Sequence, residues 1–404
     1  MAAHFPLERL HPAVVAWAES RRVHARGPWA VAFSGGADSL ALLLLLCAHW
    51  PERRARFVAL HFNHRLRGAA ADADERFCRR VCGALGVRLY VGRWNQRLAG
   101  AKHTKRGLAG CGRELVAGVA DPGLPVVALA KAGPASARPA TVSRSIRRAS
   151  EEEARMARFA FFERAMRRAG ARALWLGHQQ DDIAETMLMR LARGSGTGGL
   201  AAPRPVQRVG DQVRLRPLLT VKKQEVTRGL RECGVRWRED RTNAGTAYFR
   251  NRIRHQVLPA WQEAAGRDAV SGAALARERL EEDDAALEAW LEELRPWGRG
   301  GTLDLAVLKG RPRALVRRAL HRWLSAQPLA GELSRPGFED LLAAAIACKG
   351  TRRSLGRDGF AVVRGGKLRF ERAADSRTTR WRSRPQKQLS TGGNGGSGGL
   401  KAEG

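Results

Sequence analysis

The stretch Ser34-Gly35-Gly36-Ala37-Asp38-Ser39 places two hydroxyls, two glycines and one carboxylate between an apolar run and a helix-forming run. Glycines at 35 and 36 allow close backbone approach to a ligand. A helix opening near Ser39 adds N–H groups without intrahelical partners and the positive end of its dipole. With the hydroxyls, these groups make a cradle for an anion such as phosphate. The purely structural alternative is a tight turn whose helix is capped by Ser39 or Asp38. The loop lacks the GK[ST] ending of a Walker loop and the spacing of the dinucleotide fingerprint, which disfavours both of those nucleotide classes. Asp38 would repel a phosphate unless a cation stood between them, and mixed carboxylate and phosphate oxygens suit Mg²⁺.

A second chemical set lies in GHQQDDIAET, residues 177 to 186. Asp182 and Glu185 are three apart and share one helical face, with His178 at the end of the preceding apolar segment ALWL. Two carboxylates so placed can bind a metal or take a proton from an amine. The same residues also read as a helix start, with Asp181 as cap and Glu185 as the acid of a capping box.

Both sets need elements that hold them at one edge. PWAVAF (28–33), ARFVALHFNH, VRLYVG and ALWLGH read as strands, and LALLLLLCAHW, DADERFCRRVCGALG and EEEARMARFAFFERAMRRAG as the helices between them. Such alternation predicts an α/β fold, a parallel sheet with helices on both faces and ligands at the carboxyl ends of the strands. Between residues 93 and 148 the alternation lapses. Residues 91 to 148 hold eleven Lys or Arg and two Asp or Glu, so 93–148 is expected to be a flexible basic insertion. From about Asp268 the pattern turns mainly helical, and FAVVRGGKLRF reads as a hairpin turning on Gly365-Gly366. The expected division is a catalytic domain over 1–262, a smaller mainly helical domain over 263–375 and a disordered, basic, Gly-rich tail over 376–404.

Lys and Arg number 72 against 39 Asp and Glu, a formal net charge of +33, which favours a polyanionic partner such as nucleic acid. Part of that excess is also what an Arg-rich genome would write on any surface. The six cysteines form no CxxC pair, which weakens metal and disulfide readings and fits a reduced, cytoplasmic setting. The most apolar stretch, Leu40 to Ala48, is too short to span a bilayer, and the N-terminus lacks an uninterrupted signal-peptide core. A soluble protein with no membrane partner is expected. The oligomeric state stays open, a homodimer among the options.

SGGxDS resembles the pyrophosphate-binding loop of PP-loop ATP pyrophosphatases, which cleave ATP between its α and β phosphates. Further blocks sharpen the resemblance. In order, SGGADS, HFNHRLRG, Arg155 to Phe159, GHQQDDIAETMLMRLARGSGTGGL, and WREDRTN with Arg250 to Arg254 look like the tRNA(Ile)-lysidine synthetases. The match spans residues 28 to 262, interrupted by the basic insertion. Members commonly carry a second His where this chain has Gln179, and Gln where it has Ile183.

The resemblance implies ATP-dependent carbon–nitrogen ligation. ATP adenylates the C2 oxygen of the wobble cytidine in tRNA(Ile) with a CAU anticodon, and the ε-amine of free L-lysine then displaces AMP. It implies that Ser34, Gly35, Gly36, Ala37, Asp38 and Ser39 bind ATP, with Asp38 on Mg²⁺. His61, Asn63 and His64 would line the adenosine pocket, and Arg193, Gly194 and Gly196 would close the far side. Arg158 and His178 would face the nucleotide or its developing charge, and Asp182 and Glu185 would hold and deprotonate lysine. Arg250, Arg252 and Arg254 would contact tRNA phosphates, with a solvated helical face as the plainer alternative. The smaller domain would bind tRNA. A 2-thiolation enzyme shares the loop but would need cysteines for sulfur relay. A glutamine-dependent synthetase would need a nucleophilic Cys in a GxCxG setting. A non-enzymatic RNA binder would leave the acid pair without purpose.

Overall fold

A computed structural model describes residues 1–20, 27–65, 68–94, 151–239, 245, 248–328 and 333–373. Nearly all of the expected insertion at 93–148 and the whole of the expected tail at 376–404 lie outside the described residues.

The first strand, β1 (Trp29–Ala32), leads through the phosphate loop into α2 (Ala37–His49), after the short α1 (Pro12–Glu19). Then follow β2 (Phe57–Asn63), α3 (Ala69–Leu85), β3 (Arg88–Arg93), α4 (Glu151–Ala169), β4 (Ala173–Trp175) and α5 (Gln180–Leu191). A short α6 (Thr197–Leu200) precedes β5 (Val206–Val209), β6 (Gln212–Leu215) and α7 (Lys223–Glu232). The sheet order is β3-β2-β1-β4-β6-β5. Every pairing is parallel except β5 with β6, so the expected parallel sheet gains one antiparallel edge strand. The short β5 and β6 were not legible as strands.

From β1 the chain builds outward to β2 and β3, then returns to place β4 on the other side of β1. Connections from β1 and β4 therefore diverge, and a crevice opens at their carboxyl ends. The phosphate loop leaves β1 and the acidic block leaves β4 at that switch point.

Side chains alternate across the sheet and divide the core. Trp29, Val31, Phe33 and Trp175 pack with Val14 of α1, Leu42 and Leu46 of α2, and Val226 and Leu230 of α7. On the other face Ala30, Val58, Leu60 and Leu174 meet Phe161, Phe162 and Met166 of α4. Four indoles crowd the first face, Trp29 and Trp175 at 4.7 Å between ring centroids and Trp17 and Trp50 beside them.

After α7 come α8 (Phe249–Arg252), a π-helical segment Ile253–Val257 and α9 (Leu258–Ala265). Pro259 has no N–H to return to the His255 carbonyl, which accounts for the altered ladder just before it. The long α10 (Ala269–Leu294) then lays Val270 and Ala273 on Ala184 and Met187 of α5 and on Leu258 of α9.

Two compact units result: residues 1–296 with 311–326, and residues 297–310 with 327–404. These units divide the chain elsewhere than the 262/263 boundary expected from sequence. α10 and α12 (Arg313–Ser325) belong to the first unit because the apolar face of α10 covers α5. The second unit carries β7 (Leu303–Asp304), α11 (Leu305–Leu308), α13 (Arg335–Ile346), β8 (Thr351–Ser354), β9 (Gly359–Arg364) and β10 (Lys367–Arg372). Its four strands form a sheet in the order β7-β10-β9-β8. The hairpin on Gly365-Gly366 is present, both glycines having the positive φ of a tight two-residue turn, 57° and 71°. The C-terminal region carries the helices read from its sequence, with two strands, β7 and β8, beyond the β9 and β10 of the hairpin.

Candidate active site

The phosphate loop is shaped by its own hydroxyls. Ser34 Oγ lies 3.0 Å from Ser39 Oγ and accepts the Gly36 N–H at 3.3 Å, while Ser39 Oγ donates to the Gly36 carbonyl at 3.0 Å. Gly35 has φ +89°, and a side chain there would press on Cys78 and Phe77 at 3.2 Å. From outside, the Arg238 N–H donates to the Gly35 carbonyl at 3.0 Å, and Arg238 Nε holds Asp74 at 2.8 Å. The segment after α7 thus braces the loop.

Gly177 joins the two chemical sets. A Cβ at this position would stand 2.9 Å from the Asp38 carbonyl oxygen, so only glycine lets the end of β4 come this close to the start of α2. Asp38 is consequently in an acidic neighbourhood. Burial first, then the charge of Asp182, raise its pKa from 3.8 to about 7, with Asp181 adding and Lys223 and Arg254 opposing. Its Oδ1 is buried without a hydrogen-bond partner. An orphaned carboxylate oxygen inside an anion cradle is a donor suited to a hard cation.

Asp182 and Glu185 sit on one face of α5 as expected, and both are buried. The helix start differs from the reading. Gln179 is the N-cap, its side chain accepting the Asp181 N–H at 3.1 Å, and Asp182 is the box acid, Oδ2 accepting the Gln179 N–H at 3.0 Å. Asp181 instead accepts the Lys223 N–H at 2.9 Å. One residue therefore takes both roles that had been weighed against each other, since Asp182 caps the helix with one oxygen and faces the crevice with the other. The two departures from the family pattern fit their places: Gln179 caps, and Ile183 is buried with Leu219 and Ala274.

Arg250 and Arg254 correct another expectation. Expected as phosphate contacts, they are turned onto the acid pair. Arg250 Nη2 lies 2.5 Å from Asp182 Oδ1 and its Nε 2.7 Å from Glu185 Oε2. Arg254 holds Glu185 in bidentate fashion at 2.5 and 3.0 Å. Four residues apart, they share a face of the α8 and π-helical run, and buried carboxylates claim them because an unpaired charge there would be costly. Arg252 points away and is exposed.

A cavity of about 450 Å³ opens beside this cluster, lined by Asp181, Glu185, Lys223, Arg254, Leu258, Pro259, Gln262, Glu263 and Val270. The lining combines carboxylates, the cations Lys223 and Arg254, and the aliphatic Leu258, Pro259 and Val270.

His178 follows β4, and its Nδ1 accepts from Arg216 Nε at 3.1 Å. Burial, and then the charges of Arg216, Arg250, Arg158 and Arg155, push its pKa far below the ordinary histidine range. Arg158 joins Arg155 and Arg214 around the Phe159 ring, at 5.6, 5.8 and 4.5 Å from its centroid.

Other expected residues are placed differently. His61 and Asn63 are buried at the end of β2. His61 Nδ1 faces the Phe33 carbonyl at 3.0 Å, and the Asn63 amide donates to Asp72 and Glu75. His64 packs edge-on to Phe62. Arg193, Gly194 and Gly196 follow the far end of α5, roughly 16 Å from Asp182 along the axis at 1.5 Å per residue. Their turn is tied elsewhere: Arg190 donates to the Gly199 carbonyl, and Asp284 of α10 pairs with Arg204 and Arg318. Lys223, Arg216 and Arg238 were missed. Arg216 directly follows β6, so recognising that strand would have exposed it.

A switch-point loop of glycines and hydroxyls on a parallel sheet defines the PP-loop class, and the PP-loop domain family matches residues 15–115 and 137–261. Among its relatives, the tRNA(Ile)-lysidine synthase of Geobacter sulfurreducens is 34% identical over 76% of this chain and 56% of its own length. That of Rhodopirellula baltica is 35% identical over 57% of the chain and 51% of its own length, and that of Polaromonas naphthalenivorans 30% identical over 86% and 90%. The chain belongs to the tRNA(Ile)-lysidine synthase family. It spans about half the length of the first two relatives. Among the described residues no helix is long and apolar enough to cross a membrane.

Proposed function

We propose that the protein joins free L-lysine to C2 of the wobble cytidine in tRNA(Ile) bearing a CAU anticodon, at the expense of ATP. One observation carries the reading beyond family membership. Glu185 of the acid pair lines a cavity together with Asp181, Glu263 and the aliphatic Leu258, Pro259 and Val270, groups that suit an amine on an alkyl chain.

The chemistry needs two steps. The cytosine C2 oxygen attacks the α-phosphorus of ATP and expels pyrophosphate, because C2 is a poor electrophile until its oxygen belongs to a good leaving group. The lysine ε-amine then attacks C2, and AMP departs with that oxygen. Near neutral pH the amine is protonated and cannot attack, so a carboxylate must hold it and take its proton. Glu185, which lines the cavity, and Asp182 beside it would do this, with Leu258, Pro259 and Val270 against the methylenes. Ser34 to Ser39 would receive the β and γ phosphates. Mg²⁺, when bound, neutralises phosphate charge, and Asp38 with its orphaned Oδ1 would hold it. Arg252 and the basic surface would contact tRNA phosphate, and the C-terminal region would extend that contact.

Incubation with ATP, labelled lysine and tRNA(Ile) transcripts with and without the CAU anticodon tests the reading. Lysine should enter only the CAU transcript, and equal or no labelling of both would overturn it.

A further inference from the structure

Arg216 stands outside the acid pair and the loop, yet it is only 6% exposed. Its guanidinium is used on all three sides: Nε to His178 Nδ1 at 3.1 Å, Nη1 to the Arg204 carbonyl at 2.6 Å and Nη2 to Gln207 Oε1 at 3.0 Å. Such a buried guanidinium has one orientation. An arginine N–H can donate but cannot accept, so Nδ1 of His178 must present its lone pair to Arg216. In a neutral imidazole the single proton then sits on Nε2, the nitrogen turned away from Arg216.

The surroundings keep the ring neutral. Burial, then the charges of Arg216, Arg250, Arg158 and Arg155, oppose a positive charge on the ring, while Asp182 pairs with Arg250 and acts on Arg216. The same field is attractive to an anion. A neutral histidine among arginines offers a directed N–H without adding charge, and its partner on the other nitrogen decides which N–H that is.

We propose that Arg216 is a positioning residue that locks His178 as its neutral Nε2–H tautomer, making His178 a hydrogen-bond donor to the α-phosphate oxygen that gains charge during adenylation. The role given to the donated bond rests on the function proposed above, whereas the lock itself does not. It excludes His178 as the base for lysine, because the only lone pair on the ring is occupied.

The test uses the full chain labelled with ¹⁵N-histidine, with His178 assigned by the signals lost in His178→Gln. Nδ1 should show the unprotonated and Nε2 the protonated ¹⁵N signature, without change between about pH 8 and about pH 5.5. An Nδ1–H tautomer, or a ring that protonates in that range, overturns the proposal. Arg216→Met should then mix the tautomers and slow transfer of AMP to tRNA by about 10²-fold with little change in the KM for ATP. Adding Arg216→Met to His178→Gln should cost no more than about 2-fold further, since the two act as a unit. Losses that multiply would mean that Arg216 acts through Arg204 and Gln207, which overturns the proposal. Should the parent show the expected tautomer but adenylate no tRNA, the lock stands and the function proposed above falls.

Discussion

Arg250 places its Nη2 2.5 Å from Oδ1 of Asp182, the one oxygen of that carboxylate not engaged in capping α5. A lysine ammonium seeking Asp182 or Glu185 must therefore share or displace a guanidinium. The acid pair is oriented by its arginine contacts before substrate arrives.

Asp182→Asn separates capping from chemistry. Asparagine can still accept the Gln179 N–H but loses the charge and the basicity. Lysine incorporation should fall by about 10²- to 10⁴-fold while ATP and tRNA still bind, and adenylated tRNA should accumulate. Quench-flow with labelled lysine checks this. Near-normal turnover with a lowered melting temperature would reduce Asp182 to a cap.

Asp38 links the site to pH. Its folded pKa of about 7 lies above its ordinary 3.8, so the folded protein keeps a proton that the unfolded chain releases. Stability from this group is complete below about pH 4 and is lost as pH rises through about 7. In metal-free buffer Asp38→Asn should melt with the parent at low pH and above it at pH 8, the gain having a ceiling of about 4 kcal/mol. A gap that shrinks as pH rises would contradict the burial argument. Asp38→Ala should also abolish adenylation and leave tRNA affinity nearly intact.

The three arginines of the α8 region should part company in salt titrations. Arg252 is exposed, and Arg252→Ala should reduce the slope of log affinity against log salt by about 1. Arg250→Ala should leave that slope unchanged and lower turnover, because its partners are Asp182 and Glu185. Filter binding over a range of KCl distinguishes them.

Asp284 is 1% exposed and paired with both Arg204 and Arg318. Asp284→Ala would leave Arg204 without this anion and Arg318 with Glu288 alone, and urea unfolding should show a loss of about 3–5 kcal/mol. A loss under about 1 kcal/mol would mean that water replaces the carboxylate.

The fold was legible where residues repeat a period. Trp29 to Phe33 and Phe57 to Asn63 declare buried strands, and Gly365-Gly366 declares its turn. β5 and β6 escaped because four-residue strands such as Gln212–Leu215 carry too little pattern, and Arg216 escaped with them. The nearness of Asp38, Asp182 and Glu185 to one sheet edge was legible in their types and spacing. Their pairings were not, because Arg250 lies 65 residues beyond Glu185 and only the folded chain reveals that the cation it needs is an acid's neighbour rather than a phosphate's. The compact units divide the chain elsewhere than the expected 262/263 for a related reason. The polar faces of α10 look self-sufficient in sequence, and nothing local shows that Val270 and Ala273 complete α5.

That packing of α10 on α5 bears on how the protein can be dissected. A fragment ending at residue 262 would leave Ala184, Met187 and Leu258 uncovered, on the very helix that carries Asp182 and Glu185. Such a fragment should express as aggregate, and ligand-free crystals or spectra of it would describe a damaged pocket. A cut near residue 296 retains the covering helix, at the cost of the α12 segment that supplies Arg318 to Asp284.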